Sequence, residues 1–196
     1  VSCGCHHGLI LCSDGSIWVW GSSERGQCGL KSREVVESPK QIEYAVGGNS
    51  IVNMQIKSVA AGDVHSLLLS AGGRIIAFGD NSWGQLGLPE TQESEALEKE
   101  RGELLQSLAN ISSSVSPHHT LLLSKHGRVY SCGLNQYGQL GLAGEDAAEK
   151  VFLPKLIRSV RNVRVIQASA GLEHSLFLTS DRTVLGCGRN EAGVLG

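Results

Sequence analysis

At 196 residues, with 17 Lys and Arg against 19 Asp and Glu, the chain carries a formal net charge of −2 and is long enough to enclose a sizeable core. That balance sets up no field that would draw it to nucleic acid or an anionic membrane, and no run of 18 apolar residues offers a membrane-spanning helix. Six cysteines stand at positions 3, 5, 12, 28, 132 and 187. They follow no recurring spacing, so they fit neither a disulfide framework nor a paired zinc motif, and we read them as buried or neutral thiols of a reducing compartment.

Taken in chain order, the first predicted elements are Leu9-Ile10-Leu11 and Ile17-Trp18-Val19-Trp20, joined by Asp14-Gly15. Two apolar runs of strand length around a turn glycine read as an antiparallel hairpin. The next hairpin is His65-Ser66-Leu67-Leu68-Leu69-Ser70, then Ala71-Gly72-Gly73, then Arg74-Ile75-Ile76-Ala77-Phe78. Six acids (Glu90, Glu93, Glu95, Glu98, Glu100 and Glu103) follow against Lys99 and Arg101, and residues 90–108 read as a protruding acidic loop that suits helix or disorder. A third hairpin, Leu121-Leu122-Leu123 with Val129-Tyr130 around His126-Gly127, leads to two further strands, Pro154–Ile157 and Val163–Ala168. The fourth hairpin has Leu176-Phe177-Leu178 and then Asp181-Arg182, with Arg182 where the turn glycine is expected, which predicts a different or strained turn.

These hairpins are one motif written four times. Its anchors are His7, His65, His119 and His174, spaced by 58, 54 and 55 residues. Fourteen residues after each histidine comes a glycine (Gly21, Gly79, Gly133, Gly188), and 19 residues after it another (Gly26, Gly84, Gly138, Gly193). Repeats of this length mean a solenoid, propeller or array. Nearly continuous apolar strands predict sheets covered on both faces, and two linking strands plus a hairpin give four strands per unit. The fold class is therefore all-β, a β-propeller of four-stranded blades, with repeats at about 1–58, 59–112, 113–167 and an incomplete 168–196.

The motif resembles the repeat of the regulator of chromosome condensation (RCC1-like) family: a glycine three before a histidine, an apolar strand, Asp/Asn-Gly, a strand ending in glycine, and a Gly-Gln-Leu-Gly box. The match runs over nearly the whole chain and is strongest at Gly62–Leu88. Val194 replaces the box glutamine in the fourth copy, and Ser116 replaces the leading glycine in the third. The resemblance implies a seven-bladed propeller, of which this chain is an arc of about half. Both ends fall inside repeats, as in a segment of a longer protein, and the remaining blades either lie outside this sequence or come from another chain.

The four histidines recur at the start of the same strand and so lie on different blades. They cannot converge on one ion, and we assign each a structural bond to backbone inside its own blade. No nucleophile–base–acid arrangement and no phosphate-cradling loop recurs, so the reading assigns no catalytic, metal or cofactor residue to this segment. A photoreceptor branch of the resembled family carries tryptophan two residues before the histidine; here those positions are Cys5, Asp63, Pro117 and Leu172, which argues against a light sensor. Trp18 and Trp20 read as blade packing.

Recognition is placed on the loops that follow the strand-ending glycines. Their tips, 18 residues after each histidine, are Arg25, Trp83, Tyr137 and Ala192, and Arg, Trp and Tyr are the types enriched at interface hot spots. Asn81 and Gln136 complete the candidate set; the competing reading packs Trp83 and Tyr137 over the glycine box. Lys155, Arg158, Arg161 and Arg164 read as scattered solvated charge. The resulting expectation is an intracellular, cytoplasmic or nuclear, non-enzymatic scaffold with a protein partner, able to self-associate and with no direct contact to membrane or nucleic acid. The resemblance supplies two alternatives, a guanine-nucleotide exchange factor for a small GTPase and the propeller of a larger enzyme such as a HECT-type ubiquitin ligase.

Overall fold

A computed structural model of the chain describes residues 1–43, 54–89, 108–113 and 119–196. Its first sheet comprises β1 (Ser2–Cys3), β2 (His7–Leu11), β3 (Ile17–Gly21) and β4 (Val36–Gln41). The second comprises β5 (Ile56–Ala61), β6 (His65–Ser70) and β7 (Ile75–Gly79). The third comprises β8 (Leu108–Ser113), β9 (His119–Ser124), β10 (Val129–Leu134) and β11 (Lys150–Leu156), and the fourth β12 (Val165–Ala170), β13 (His174–Thr179) and β14 (Val184–Gly188). Every pairing is antiparallel between strands adjacent in sequence. The two strands read between the third box and the fourth histidine fall in different sheets: β11 closes the third and β12 opens the fourth. Of the acidic stretch, residues 90–107 lie outside the described residues, as does Pro117; Leu108 opens β8 with its side chain buried.

The all-apolar strands are explained by what covers them. Alternate side chains of a strand point to opposite faces. In β6, Leu68 packs with Leu9, Val19 and Phe78 against the first sheet, while Leu67 and Leu69 pack with Ile111 and Leu122 against the third. In β9, Leu121 and Leu123 turn to Ile157, Val165 and Phe177 of the next interface. Each such leucine, fully buried, stabilises the fold by about 1.5–3 kcal/mol. The opening strands β1, β5, β8 and β12 approach one another in succession, so they lie nearest a common axis and the sheets fan around it as an arc.

Two glycine positions are dictated by close approach and backbone sign. Each strand-ending glycine pairs directly across from a repeat histidine, Gly21 with His7, Gly79 with His65, Gly133 with His119 and Gly188 with His174. At Gly79 φ is +111°, and a Cβ would lie 2.7 Å from the His65 Cα. In the hairpins, Cys12–Gly15, Ser70–Gly73, Ser124–Gly127 and Thr179–Arg182 form the same turn, with the last N–H donating to the first carbonyl. Such a turn ends on a left-handed residue. Gly15, Gly73 and Gly127 take it at φ 79–86°, and Arg182 takes it at 69°, the one non-glycine with positive φ among the described residues. The turn is thus the same turn, held by a residue that suffers strain there.

The cysteines divide. Cys28 and Cys132 are buried, whereas Cys3 and Cys5 are exposed at the edge of the first sheet. Burial and the neighbouring Asp63 carboxylate raise the Cys5 thiol above its usual range, and burial pushes Cys187 up to about 11.

Candidate interaction surface

Three of the four repeat histidines, each expected to bond backbone inside its own blade, reach a side chain of the next sheet. His7 Nε2 lies 2.8 Å from Ser66 Oγ, His65 Nε2 3.3 Å from Thr120 Oγ1, and His119 Nε2 2.9 Å from Ser175 Oγ. Each hydroxyl in turn donates to a box-glutamine carbonyl of the histidine's own repeat: Ser66 to Gln27 at 2.8 Å, Thr120 to Gln85 at 2.7 Å and Ser175 to Gln139 at 2.7 Å. A hydroxyl has one proton. With that proton given to the carbonyl, the hydroxyl accepts from Nε2–H, which fixes the tautomer of all three rings. The result is a directed clasp from histidine to hydroxyl to carbonyl, repeated at three interfaces, and it locks the box loop of one sheet to the first residues of the next.

Local sequence makes the clasp. Gly4, Gly62 and Gly171 lie directly beneath the rings of His7, His65 and His174, where any Cβ would overlap the imidazole. The box glutamine holds its own loop, because Gln27, Gln85 and Gln139 Oε1 each accept the tip residue's N–H at 2.9 Å, from Arg25, Trp83 and Tyr137 respectively. Gln85 Nε2 then donates to Asp80, and Gln27 Nε2 to Ser22. Gln139 Nε2 finds no partner among the described residues, since Leu134 stands where those acceptors would be. Burial pushes the His7 imidazole down to about 4, against the pull of Asp63 in the other direction.

Because all three clasps lie at the starts of the histidine strands, every sheet points the same way and the box loops gather at one end of the arc. The sequence-predicted recognition residues sit there, on successive sheets and in no common pocket. Arg25 and Gln136 are exposed. Trp83 is half-buried beneath the Lys150 ammonium, 4.2 Å from the ring centroid, and Tyr137 beneath the Arg189 guanidinium at 4.9 Å. Asn81 turns inward: it donates to the Leu88 carbonyl and accepts from Leu86 N–H, as Asn135 does with Ala148 and Leu140. Burial alone would raise the Asp80 carboxyl, but bonds from Ser82 and Gln85 and the nearby Arg25 hold it below its usual range. Each tip therefore reaches toward the following repeat and stiffens the rim.

Sequence reasoning missed the clasp hydroxyls and the asparagine staple. The signal was present: Ser66, Thr120 and Ser175 directly follow the histidine, and Asn81, Asn135 and Asn190 stand 16 residues after it. The fourth repeat closes differently. His174 has no hydroxyl partner among the described residues and lines a cleft of ≈ 370 Å³ with Leu172, Glu173, Arg189, Glu191 and Val194. Arg189 there pairs with both Glu173, at 2.8 Å, and Glu191. Among the described residues no group of three or more His, Cys, Asp or Glu side chains could hold a metal ion, and no helix is long and apolar enough to cross a membrane.

A family profile described as the RCC1-like domain matches residues 1–196. The human protein named as probable E3 ubiquitin-protein ligase HERC6 is 32% identical over 197 residues, covering 100% of this chain and 19% of that protein. The ultraviolet-B receptor UVR8 of Arabidopsis thaliana is 30% identical over 199 residues, covering 100% of this chain and 42% of the receptor. The crystal structure of Prp20p from Saccharomyces cerevisiae, described with its binding to Gsp1p and histones, superposes with a TM-score of 0.74 at 22% identity, over 98% of this chain and 45% of that one. The chain thus spans well under two thirds of these proteins.

Proposed function

The chain belongs to the RCC1-like domain family, and from that premise we propose that it is a non-enzymatic protein-interaction scaffold whose box-loop end receives the partner. The observation that carries this reading is the way the tips are held. Arg25, Trp83 and Tyr137 differ from repeat to repeat, yet each is fixed by the same bond from its backbone N–H to a box glutamine. Rigid positions with variable side chains present recognition groups at little ordering cost. Exposed Arg25 and Gln136 lead the contact, with the Trp83–Lys150 and Tyr137–Arg189 pairs beside them.

The finer assignments are an intracellular site of action and a small GTPase as the first partner to try. A propeller carried within a longer ubiquitin ligase is the second setting, favoured by the identity with HERC6; its chemistry would then lie outside these residues. Nucleotide exchange needs an element that displaces the nucleotide, and none is assigned here. The test adds the 196-residue chain to a small GTPase loaded with fluorescent GDP. Binding that weakens in Arg25→Ala with Gln136→Ala, at unchanged GDP release, is the expected result. Accelerated release would assign exchange instead, and binding indifferent to both substitutions would remove the box-loop end as the contact.

A further inference from the structure

The end opposite the clasps collects the hairpin turns, and it is charged. Beside Arg74 of the β6–β7 turn, six exposed cations stand there: Lys57 at the start of β5, Lys125 and Arg128 on the β9–β10 turn, Arg161 and Arg164 on the loop from β11 to β12, and Arg182 on the β13–β14 turn. The backbone makes them one surface. Ile157 N–H bonds to the Val129 carbonyl and Val165 N–H to Gly127, which lays the 157–165 loop along the β9–β10 turn. A Cβ on Gly127 would lie 2.6 Å from Arg164 Cγ. Ser180 N–H bonds to the Arg164 carbonyl at 2.8 Å, which joins the fourth turn to the same edge. On the other side Lys57 donates to the Leu108 carbonyl; burial, and after it the Lys125 charge, holds its ammonium below the usual range.

Lys155, Arg158, Arg161 and Arg164, read as scattered solvated charge, are all exposed and form no single stripe. Lys155 and Arg158 pair with Asp146 at 3.3 and 3.6 Å, while Arg161 and Arg164 join the turn cations. None of the six has an ion-pair partner among the described residues. One carboxylate stands amid them, Asp181, which accepts a hydrogen bond from the Thr179 hydroxyl. At the box end, by contrast, signs alternate and Arg189 is neutralised by two glutamates. Most telling is Arg182: the three other turns place glycine in the left-handed position, and here a strained arginine projects from it. An outlier of this kind points from strain to function.

We infer that the hairpin-turn end is a second docking surface, for an acidic peptide segment of a partner protein. Guanidinium forks suit carboxylates, bonding them in pairs. Packed sheets stand about 10 Å apart, and a peptide in the polyproline II conformation presents the same face every third residue, about 9 Å on, so cations on successive turns match acidic residues at every third position. Nucleic acid fits less well, because the chain as a whole is negative. The inference goes beyond the scaffold reading, because it concerns the opposite end of the molecule and a different chemistry.

The test uses the whole chain, a fluorescent peptide with glutamate at every third residue, and a single-stranded oligonucleotide of equal charge, read by anisotropy. Peptide binding at low salt that fades at high salt is expected, weakened about tenfold or more by Lys125→Glu with Arg164→Glu. If charge reversal lowers the melting temperature, Arg161→Gln with Arg182→Gly, both at exposed positions, replaces it and should weaken binding in the same direction. Arg25→Ala with Gln136→Ala should leave peptide binding unchanged, which separates failure at this end from failure of the box-loop assignment. Absent peptide binding, or equal binding by the charge variants, overturns the proposal. Tighter binding of the oligonucleotide overturns it too, and hands the surface to nucleic acid.

Discussion

The strands β6 and β13 carry almost the same sequence, His65-Ser66-Leu67-Leu68-Leu69-Ser70 and His174-Ser175-Leu176-Phe177-Leu178-Thr179, and meet different fates. All six residues of β6 are buried, whereas in β13 only Ser175, Phe177 and Thr179 are. Around β13 the apolar side chains of Ile166, Leu172, Val184 and Val194 are 43–61% exposed. The strand sequence specifies the pleat and the hairpin; the neighbour decides whether the second face is core. The histidine follows the same division, clasped across an interface at position 65 and bordering an open cleft at position 174.

The comparison separates effects local to a sheet from effects that belong to an interface. Gly79→Val and Gly188→Val are both local, since in each a β-branched side chain would meet the paired histidine's backbone at 2.7 Å. Both should lower the unfolding free energy by more than about 4 kcal/mol in urea titrations, or prevent folding; a mild Gly188→Val would show that the last sheet does not hold its pairing by itself. His65→Ala removes a fully buried ring and leaves Thr120 without its donor, and should cost about 3 kcal/mol. His174→Ala should cost under about 1 kcal/mol. Equal shifts for the two histidines would break the comparison outright.

Acid should act on the closed interface first. His7 titrates at about 4 in the folded chain, against about 6.5 when unfolded. Between those values the unfolded state binds the proton that the folded state refuses, so stability is complete above pH 6.5 and falls as pH drops toward 4, by up to about 1.4 kcal/mol per unit for this one group. Urea midpoints measured from pH 7 to pH 4 should show that slope, and His7→Gln should flatten it. The smallest effect belongs to the strained turn. Arg182→Gly removes a left-handed arginine at a cost of about 1–2 kcal/mol but returns about 0.4–1 kcal/mol through a freer unfolded chain. A net gain of a degree or two in the melting temperature is expected, and a loss would mean that the Arg182 side chain makes a stabilising contact.

Much of the fold was legible because each repeated residue has a geometric duty that sequence spacing exposes. Gly79 stands 14 residues after His65 because the hairpin sets them face to face, and the apolar runs are continuous because both faces are core. The histidine's partner was not legible. Ser66, Thr120 and Ser175 look like ordinary polar residues in strands, and their bonds cross to a histidine 55 to 59 residues earlier in the chain. The candidate surface was legible in outline only: the tips could be located by offset, but not the cations that Lys150 and Arg189 lay over Trp83 and Tyr137. The turn-end charge escaped because its members come from three sheets, and spacing within one strand says nothing about adjacency between turns.

The clasp also gives the arc a direction. His7, His65 and His119 each look forward to the sheet after them, and Ser66, Thr120 and Ser175 each answer the sheet before them. In the first repeat the answering position is Gly8, which has no hydroxyl, and the Trp20 ring fills the space a side chain would need. An end-to-end contact between two copies that reproduced the internal geometry would therefore set His174 against Gly8 and close nothing. At the first sheet a single residue, glycine where the others carry serine or threonine, decides whether the clasp can form.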